Sequence, residues 1–421
     1  MKKTIAALFI GLAGVSGAGI ACAADAATEE AANLGEAITG GKLLLNLRPR
    51  YEHVDQVNKP EDANAFTLRT LLGWRTRPWH GLSATVEGIN VTHLGSQRYN
   101  DAPSQAASSR YPLVADPDMT GINQLFAQYT GLPETDARVG WQSIKLDNVR
   151  FIGNVEFRQV MQVFDAVSVE NRSIDKLNVY AAYFWRRRDI LGDQGSMDMP
   201  VLNLRYTWKP GNDLIGYAYL QDQPKTGQSI GFNDNSNQIY GVRANGSYPL
   251  GEKLKLVYTA EYAKQDDYAD GDPRIDAEYV HLGAGPQLGN WFLRLDYELL
   301  SSNDGVYGFQ TPLGTNHLFQ GWADQFLTTP RQGIQDYYVA AGGRIGKLAL
   351  YLEVHQFKSD AGSIDFGNEF DVGLTYPLAF LKGLTGKLEY ANYNAVDRVS
   401  GDALANKVDV RKFWATLIYQ F

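Results

Sequence analysis

The chain has 421 residues, a formal net charge of -8, 24 tyrosines, 42 glycines and a single cysteine. One thiol excludes an internal disulfide framework, and no run after the N-terminus approaches the roughly 18 charge-free apolar residues of a membrane helix. Length alone is compatible with a large secreted β-domain or two.

Lys2 and Lys3 precede an apolar stretch from Ile5 to about Ile20, and the small-residue run Ala21-Cys22-Ala23-Ala24 follows. That order is a secretory signal, with cleavage expected after Ala23 or Ala24. Its removal takes away both lysines, moving the formal charge from -8 to -10, and takes the only cysteine as well. In the alternative, Cys22 is retained and acylated, but Gly19-Ile20-Ala21 fits a lipoprotein signal poorly. The expected organisation is a signal peptide at 1–24, a loose periplasmic arm or short helix at 25–40, and one β-domain at 41–421.

From Lys42 the sequence adopts a period of two, the mark of strands with one apolar and one polar face. Leu43, Leu45, Leu47 and Tyr51 alternate with Asn46, Arg48, Arg50 and Glu52. Phe66, Leu68, Leu72 and Trp74 alternate with Thr67, Arg69, Arg75 and Arg77, with one register slip expected near Gly73 or Trp74. The pattern predicts eighteen strand cores, within one hairpin. They fall near 42–53, 65–77, 82–92, 121–132, 136–144, 156–168, 175–188, 199–209, 213–222, 236–248, 253–264, 275–285, 289–300, 335–345, 347–357, 367–376, 383–393 and 409–421.

Connections between these runs alternate, with few exceptions, between long polar segments and short turns such as Lys209-Pro210-Gly211-Asn212. Long loops confined to one end and strands of about ten residues are the signature of a transmembrane barrel. At the C-terminus Phe413, Ala415, Leu417, Tyr419 and Phe421 occupy alternate positions, and the chain ends on the aromatic. In lipid every backbone polar group must be paired, so a last strand has to close on the first. Tyr51, Trp74, Trp185, Trp208 and Tyr376 suit interfacial girdles. The expected fold is thus an all-β, antiparallel, outer-membrane barrel with long external loops. Its surroundings would be outer-membrane lipid and the barrel-assembly machinery.

The segment Arg138 to Ala166 reads RVGWQSIKLDNVRFIGNVEFRQVMQVFDA. Gly140 with Gln142, then Arg150 and Gly153, then Phe157-Arg158-Gln159 and Phe164-Asp165, resemble the alginate-export family of outer-membrane barrels. Trp141 stands where that family often has arginine. The long stretch Phe309 to Asp336 is similar to the family's late loop. The resemblance implies eighteen strands, an acidic polysaccharide or oligosaccharide such as alginate as solute, and periplasmic export partners.

Strand parity assigns a lumen set of Arg48, Arg50, Arg69, Arg75, Arg77, Arg158, Arg186, Arg188, Arg205, Arg243 and Arg294, with Arg138 as a further candidate. Glu261, Asp296, Glu298, Glu353, Asp371 and Glu389 line the second half. Guanidinium groups stay charged and present five donors suited to carboxylates, so an arginine wall inside a low-dielectric barrel would attract anions. The competing role is ion-paired bracing of the wall, and the two can coexist. The segment 301–334 is too long for a hairpin loop, and its Phe309, Phe319, Trp322 and Phe326 are costly to leave in water. It is expected to fold over or into the pore as a constriction that includes His317 and Asp324, with a short helix near Trp322 to Leu327. A lid outside the current path is the alternative.

The six histidines form no H-E-x-x-H spacing, and neither a G-x-S-x-G elbow nor a nucleic-acid module is present. No catalytic residue, metal or cofactor is assigned, and nucleic acid is not an expected partner. The reading is a channel for anionic solutes, by diffusion or export. A general or sugar-uptake porin, a non-transporting adhesin or structural barrel, and a barrel lipase are the alternatives.

Overall fold

The computed structural model describes residues 29–103, 109–222, 234–399 and 401–421. The signal peptide read at 1–24 lies outside the described residues.

A one-and-a-half-turn helix, α1 (Leu34–Thr39), comes first, with the Asn33 side chain accepting from the Glu36 amide. Eighteen long strands follow. They are β1 (Lys42–Gln56), β2 (Ala63–Arg75), β3 (Leu82–His93), β4 (Met119–Tyr129), β5 (Thr135–Gln142) and β6 (Val163–Ile174). Next come β7 (Leu177–Arg188), β8 (Gln194–Lys209), β9 (Asn212–Gln221), β10 (Asn237–Pro249), β11 (Leu254–Asp267) and β12 (Asp276–Leu288). The last are β13 (Trp291–Leu300), β14 (Ile334–Ile345), β15 (Leu348–Lys358), β16 (Asp365–Pro377), β17 (Leu384–Asn394) and β18 (Val410–Gln420).

Each strand pairs antiparallel with its sequence neighbours, and β1 pairs with β18 through Tyr51 opposite Ala415 and His53 opposite Phe413. The sheet is therefore a closed barrel with no edge. Turns at 175–176, 210–211, 289–290 and 346–347 have two residues and stand at the end of the barrel that carries α1. Gly211 and Gly289 adopt φ of 76° and 59° there, the left-handed backbone that tight hairpins require.

The period of two separates the faces. Leu72, Leu125, Leu295, Leu388 and Phe421 are exposed on the outer wall, Phe421 by 69%. Arg48, Arg50, Glu52 and Arg69 are buried inside. Exposed leucines in a continuous band face hydrocarbon, not water.

Three local expectations are corrected. The β1–β2 ladder runs without interruption from Lys42 opposite Arg75 to Val54 opposite Ala63, so no slip occurs at Gly73 or Trp74. The sixth strand begins at Val163, not near 156, and extends to Ile174. Residues 143–162 leave the sheet because Asp147, Val149 and Val155 take positive φ, which breaks an extended run. No helix forms at 322–327; the only helical turn of the long segment is the 3-10 turn Asn316–Leu318.

Candidate functional site

Two segments enter the barrel, 143–162 and 301–333, and they meet inside it. Gly153 N donates to the Leu313 carbonyl, Thr315 N to the Val149 carbonyl and the Gln162 amide to Leu313. A Cβ on Gly153 would sit 2.2 Å from Thr315 Oγ1, so only glycine permits this approach. Phe151 packs against Tyr217, Tyr279 and Phe309, forming an aromatic core inside the barrel. The long segment thus packs inside the barrel against 143–162.

The long segment is anchored around the wall. Gln320 donates to Glu298 at 2.6 Å, and Arg150 bridges both, 2.9 Å from Gln320 and 3.2 Å from Glu298. Phe319 lies under the Arg150 guanidinium, Trp322 stacks on Tyr351, and Phe326 sits among Phe357, Phe366 and Tyr393. His317 stacks on Phe157 and donates from Nδ1 to Asp324, which also pairs with Lys412 at 2.7 Å. Burial pushes the His317 imidazole below its ordinary range, with Asp324 opposing. Burial alone would raise the Asp324 carboxyl; Lys412 and His317 outweigh it and hold the group well below the usual carboxylate range.

The arginines divide into two kinds. Arg48 donates to the Gln159 side chain at 2.8 Å and to the carbonyls of Glu156 and Arg158. Arg50 donates to the Phe157 carbonyl and lies over its ring, and Arg69 donates to Asn46 at 2.9 Å. All three are buried, and among the described residues none pairs with a carboxylate. Nε of Arg50 and Nε and Nη1 of Arg69 have no hydrogen-bond partner. With Lys387 and Phe157 they line a pocket that Glu156 and Glu389 also border. Arg188 is similar, held by the Ile122 carbonyl and Asn123.

Most of the remainder are braced. Arg158 pairs with Glu52 at 2.9 Å, Arg205 with Asp147 at 2.8 Å, Arg243 with Glu261 at 3.2 Å and Arg294 with Asp296. Burial works against the Arg158 charge, but Glu52 and Asp116 overcome it and raise the guanidinium above its ordinary value. Arg186 is half-exposed and pairs with Asp165 at 3.1 Å, and Arg138 pairs with Asp136 at 2.6 Å. Arg75 ends β2 opposite Lys42. Arg77 lies beyond that strand and clamps the N-terminal arm through Glu36 at 2.7 Å. Arg158 shares the Phe157 ring with Arg50, whereas Arg75, Arg77, Arg138, Arg186, Arg205, Arg243 and Arg294 do not line the pocket of Arg48, Arg50 and Arg69.

Sequence reasoning did not name Lys387 or Lys412, and it named Gln159 only as part of the Phe157-Arg158-Gln159 motif. Lys387 shares parity with Glu389, which offered a signal. Gln159 was masked by the expected strand over 156–168, although Asp147-Asn148 and Gly153-Asn154 are turn dipeptides that mark an excursion.

No family model matches the chain, and no curated protein matches it. Solved Pseudomonas aeruginosa barrels do. OpdQ is 15% identical, with a TM-score of 0.68 over 92% of this chain and 99% of its own. OccK9 (OpdG) is 15% identical, with a TM-score of 0.70 over 91% and 99%. OpdK, solved with vanillate, is 14% identical, with a TM-score of 0.68 over 91% and 99%. At this identity the likeness establishes the fold alone: a closed, eighteen-stranded antiparallel β-barrel of the kind that spans a membrane. It also corrects the resemblance to the alginate-export family. The solved barrels matched are of the Occ and Opd type, and much of the motif quoted for alginate export, from Ser143 to Gln162, is an inward loop instead of strand.

Proposed function

We propose that this protein is a substrate-selective outer-membrane channel for small carboxylate-bearing solutes. The observation that carries the reading is the cluster of Arg48, Arg50 and Arg69, buried and free of carboxylate partners, beside Lys387 in one pocket. Burying a guanidinium without a counter-charge is costly, and here backbone carbonyls of 156–158 give only partial compensation. A transient anion supplies the rest. One unit charge at about 4 Å is worth about 4 kcal/mol at an effective dielectric of about 20, so three guanidiniums together bias a passing carboxylate strongly. The vanillate carried by OpdK, a barrel of the same fold, makes that aromatic carboxylate the first solute to test.

The experiment is reversal-potential measurement in planar bilayers under a salt gradient, with vanillate added to one side. Wild type is expected to prefer anions, and vanillate to interrupt chloride current. The triple variant Arg48→Gln, Arg50→Gln, Arg69→Gln is expected to lose most of both effects while remaining a heat-modifiable barrel. The preference should weaken as salt rises. Cation preference in wild type, unaltered by the triple change, would refute the reading.

A further inference from the structure

On the wall formed by β14, β15 and β16, four carboxylates are buried together: Asp336, Glu353, Glu369 and Asp371. Among the described residues, the only cationic side chain within ion-pair distance of any of them is His355, and no arginine or lysine joins it. Four carboxylates cannot share one imidazole in a low-dielectric interior without another source of positive charge.

The donor geometry indicates where that charge sits. His355 Nδ1 is 3.0 Å from both oxygens of Asp336, so Nδ1–H donates and Nε2 faces the other way. The ring is held between Tyr338 and Phe357 at centroid distances of 4.8 and 5.3 Å. Nε2 lies 3.6 Å from Glu353 Oε2 and 3.8 Å from Asp371 Oδ2. Both distances are too long for hydrogen bonds, and His355 Nε2 has no hydrogen-bond partner despite full burial. They are close to the tetrahedral ligand-to-ligand edge of about 3.3–3.6 Å that metal bonds of about 2.0–2.2 Å produce. One ligand atom from each of Glu353, His355 and Asp371 falls within a mutual 4.8 Å. A carboxylate orienting a histidine whose other nitrogen points at a shared centre is the second-shell arrangement of a metal-binding imidazole.

We propose that Glu353, His355 and Asp371 form a binding site for one divalent cation of the zinc class, with Asp336 as the positioning residue for His355. One imidazole and two carboxylates leave a fourth position for water, and borderline-soft zinc suits that mixed set better than magnesium or calcium. The site lies under the long inward segment. Trp322 N donates to Asp371 Oδ2 at 3.3 Å and Ala323 N to Glu369 at 2.6 Å. A Cβ on Gly321 would come within 2.3 Å of the Glu369 carboxylate. The cation would therefore offset half of the formal negative charge of the wall on which the inward segment rests, and its presence is independent of which solute the pore passes.

The test uses the full barrel in detergent micelles, dialysed against chelator and then titrated with Zn2+ by calorimetry and with Co2+ by visible absorption. One saturable equivalent is expected, with d–d bands of a nitrogen–oxygen site. His355→Gln should weaken affinity at least tenfold and remove those bands, and Asp336→Asn should weaken it by about 10–100-fold while retaining a site. Heat-modifiable migration verifies folding of each variant, and Glu353→Gln serves where His355→Gln fails to assemble. Absence of saturable binding in the folded wild type, or binding unaltered in both ligand variants, would overturn the proposal and leave protons as the compensating charge.

Discussion

The two walls of the lumen solve opposite electrostatic problems with the same material. On β1 and β2, Arg48, Arg50 and Arg69 carry positive charge without carboxylate partners. On β14 to β16, Asp336, Glu353, Glu369 and Asp371 carry negative charge around one histidine. The inward segment 143–162 turns backbone carbonyls toward the arginines, whereas 301–333 turns backbone N–H groups of Trp322 and Ala323 toward the carboxylates. Each segment is thus matched in dipole to the wall it covers. Partial charges temper the field of each wall but do not cancel it, which keeps an unpaired charge available to a ligand. Elsewhere, in the Arg150–Glu298 and Arg158–Glu52 pairs, full charges cancel and the result is bracing.

Removing one cover tests that contrast most severely. Deletion of 306–330 strips the N–H groups from the acidic wall and opens the constriction. Single-channel conductance is expected to rise several-fold, with selectivity moving toward cations. Closure entropy depends weakly on loop length, so β13 and β14 remain joined. An unaltered conductance in a folded variant would mean that the segment does not limit current.

The difference between pairing and exposure to ligand is sharpened by comparing Glu298→Ala with Arg69→Gln. The first leaves Arg150 buried and uncompensated and should cost about 3–5 kcal/mol. The second removes a charge that has no counter-ion and should leave stability nearly unaltered. Urea midpoints in micelles separate the two, and equal losses would erase the distinction between braced and unbraced arginines.

A pH change addresses the anchor between the walls. The folded His317 lies below its ordinary value, so the folded state binds fewer protons than the released one. Its stabilising contribution is complete above the unfolded value of about 6.5 and is lost as pH falls toward the folded value. Current noise from a loosened segment should therefore grow as pH falls from about 7 to 5. The Asp324 carboxyl, also depressed, adds loss only below about pH 4. His317→Gln should remove the first component; noise that persists in that variant would place the titrating group elsewhere.

The smallest effect is expected at the partly exposed brace. Arg205 pairs with Asp147 at 2.8 Å and Asp213 at 3.6 Å but is 35% exposed. Arg205→Gln should cost less than about 1 kcal/mol, and a loss as large as that at Glu298 would show that exposure does not weaken these pairs.

Strand number and placement were legible because a barrel wall repeats one local rule. Lipid on one side and a polar interior on the other impose the alternation of Leu43, Leu45 and Leu47 with Asn46 and Arg48, residue by residue. The exception is instructive. Residues 156–162 keep a mixed polar and apolar pattern because they pack inside the lumen, between a charged wall and an aromatic core, so their pattern imitates a strand. Parity placed Arg48, Arg50 and Arg69 on the buried face but misled at Arg158, which lies in a loop, and at Arg77, which lies beyond its strand.

The sequence by itself therefore determined the closed barrel, its eighteen strands and the outward Phe421, since these follow from local periodicity and the solvent on either side. Only the tertiary structure decided which charges meet. Arg48 reaches Gln159 across 111 positions, and Lys412 reaches Asp324 across 88. His355 meets Asp336 and Asp371 from neighbouring strands. Pairing depends on register and on where two loops fold, both set by contacts between residues far apart in the chain, and no local pattern encodes those distances.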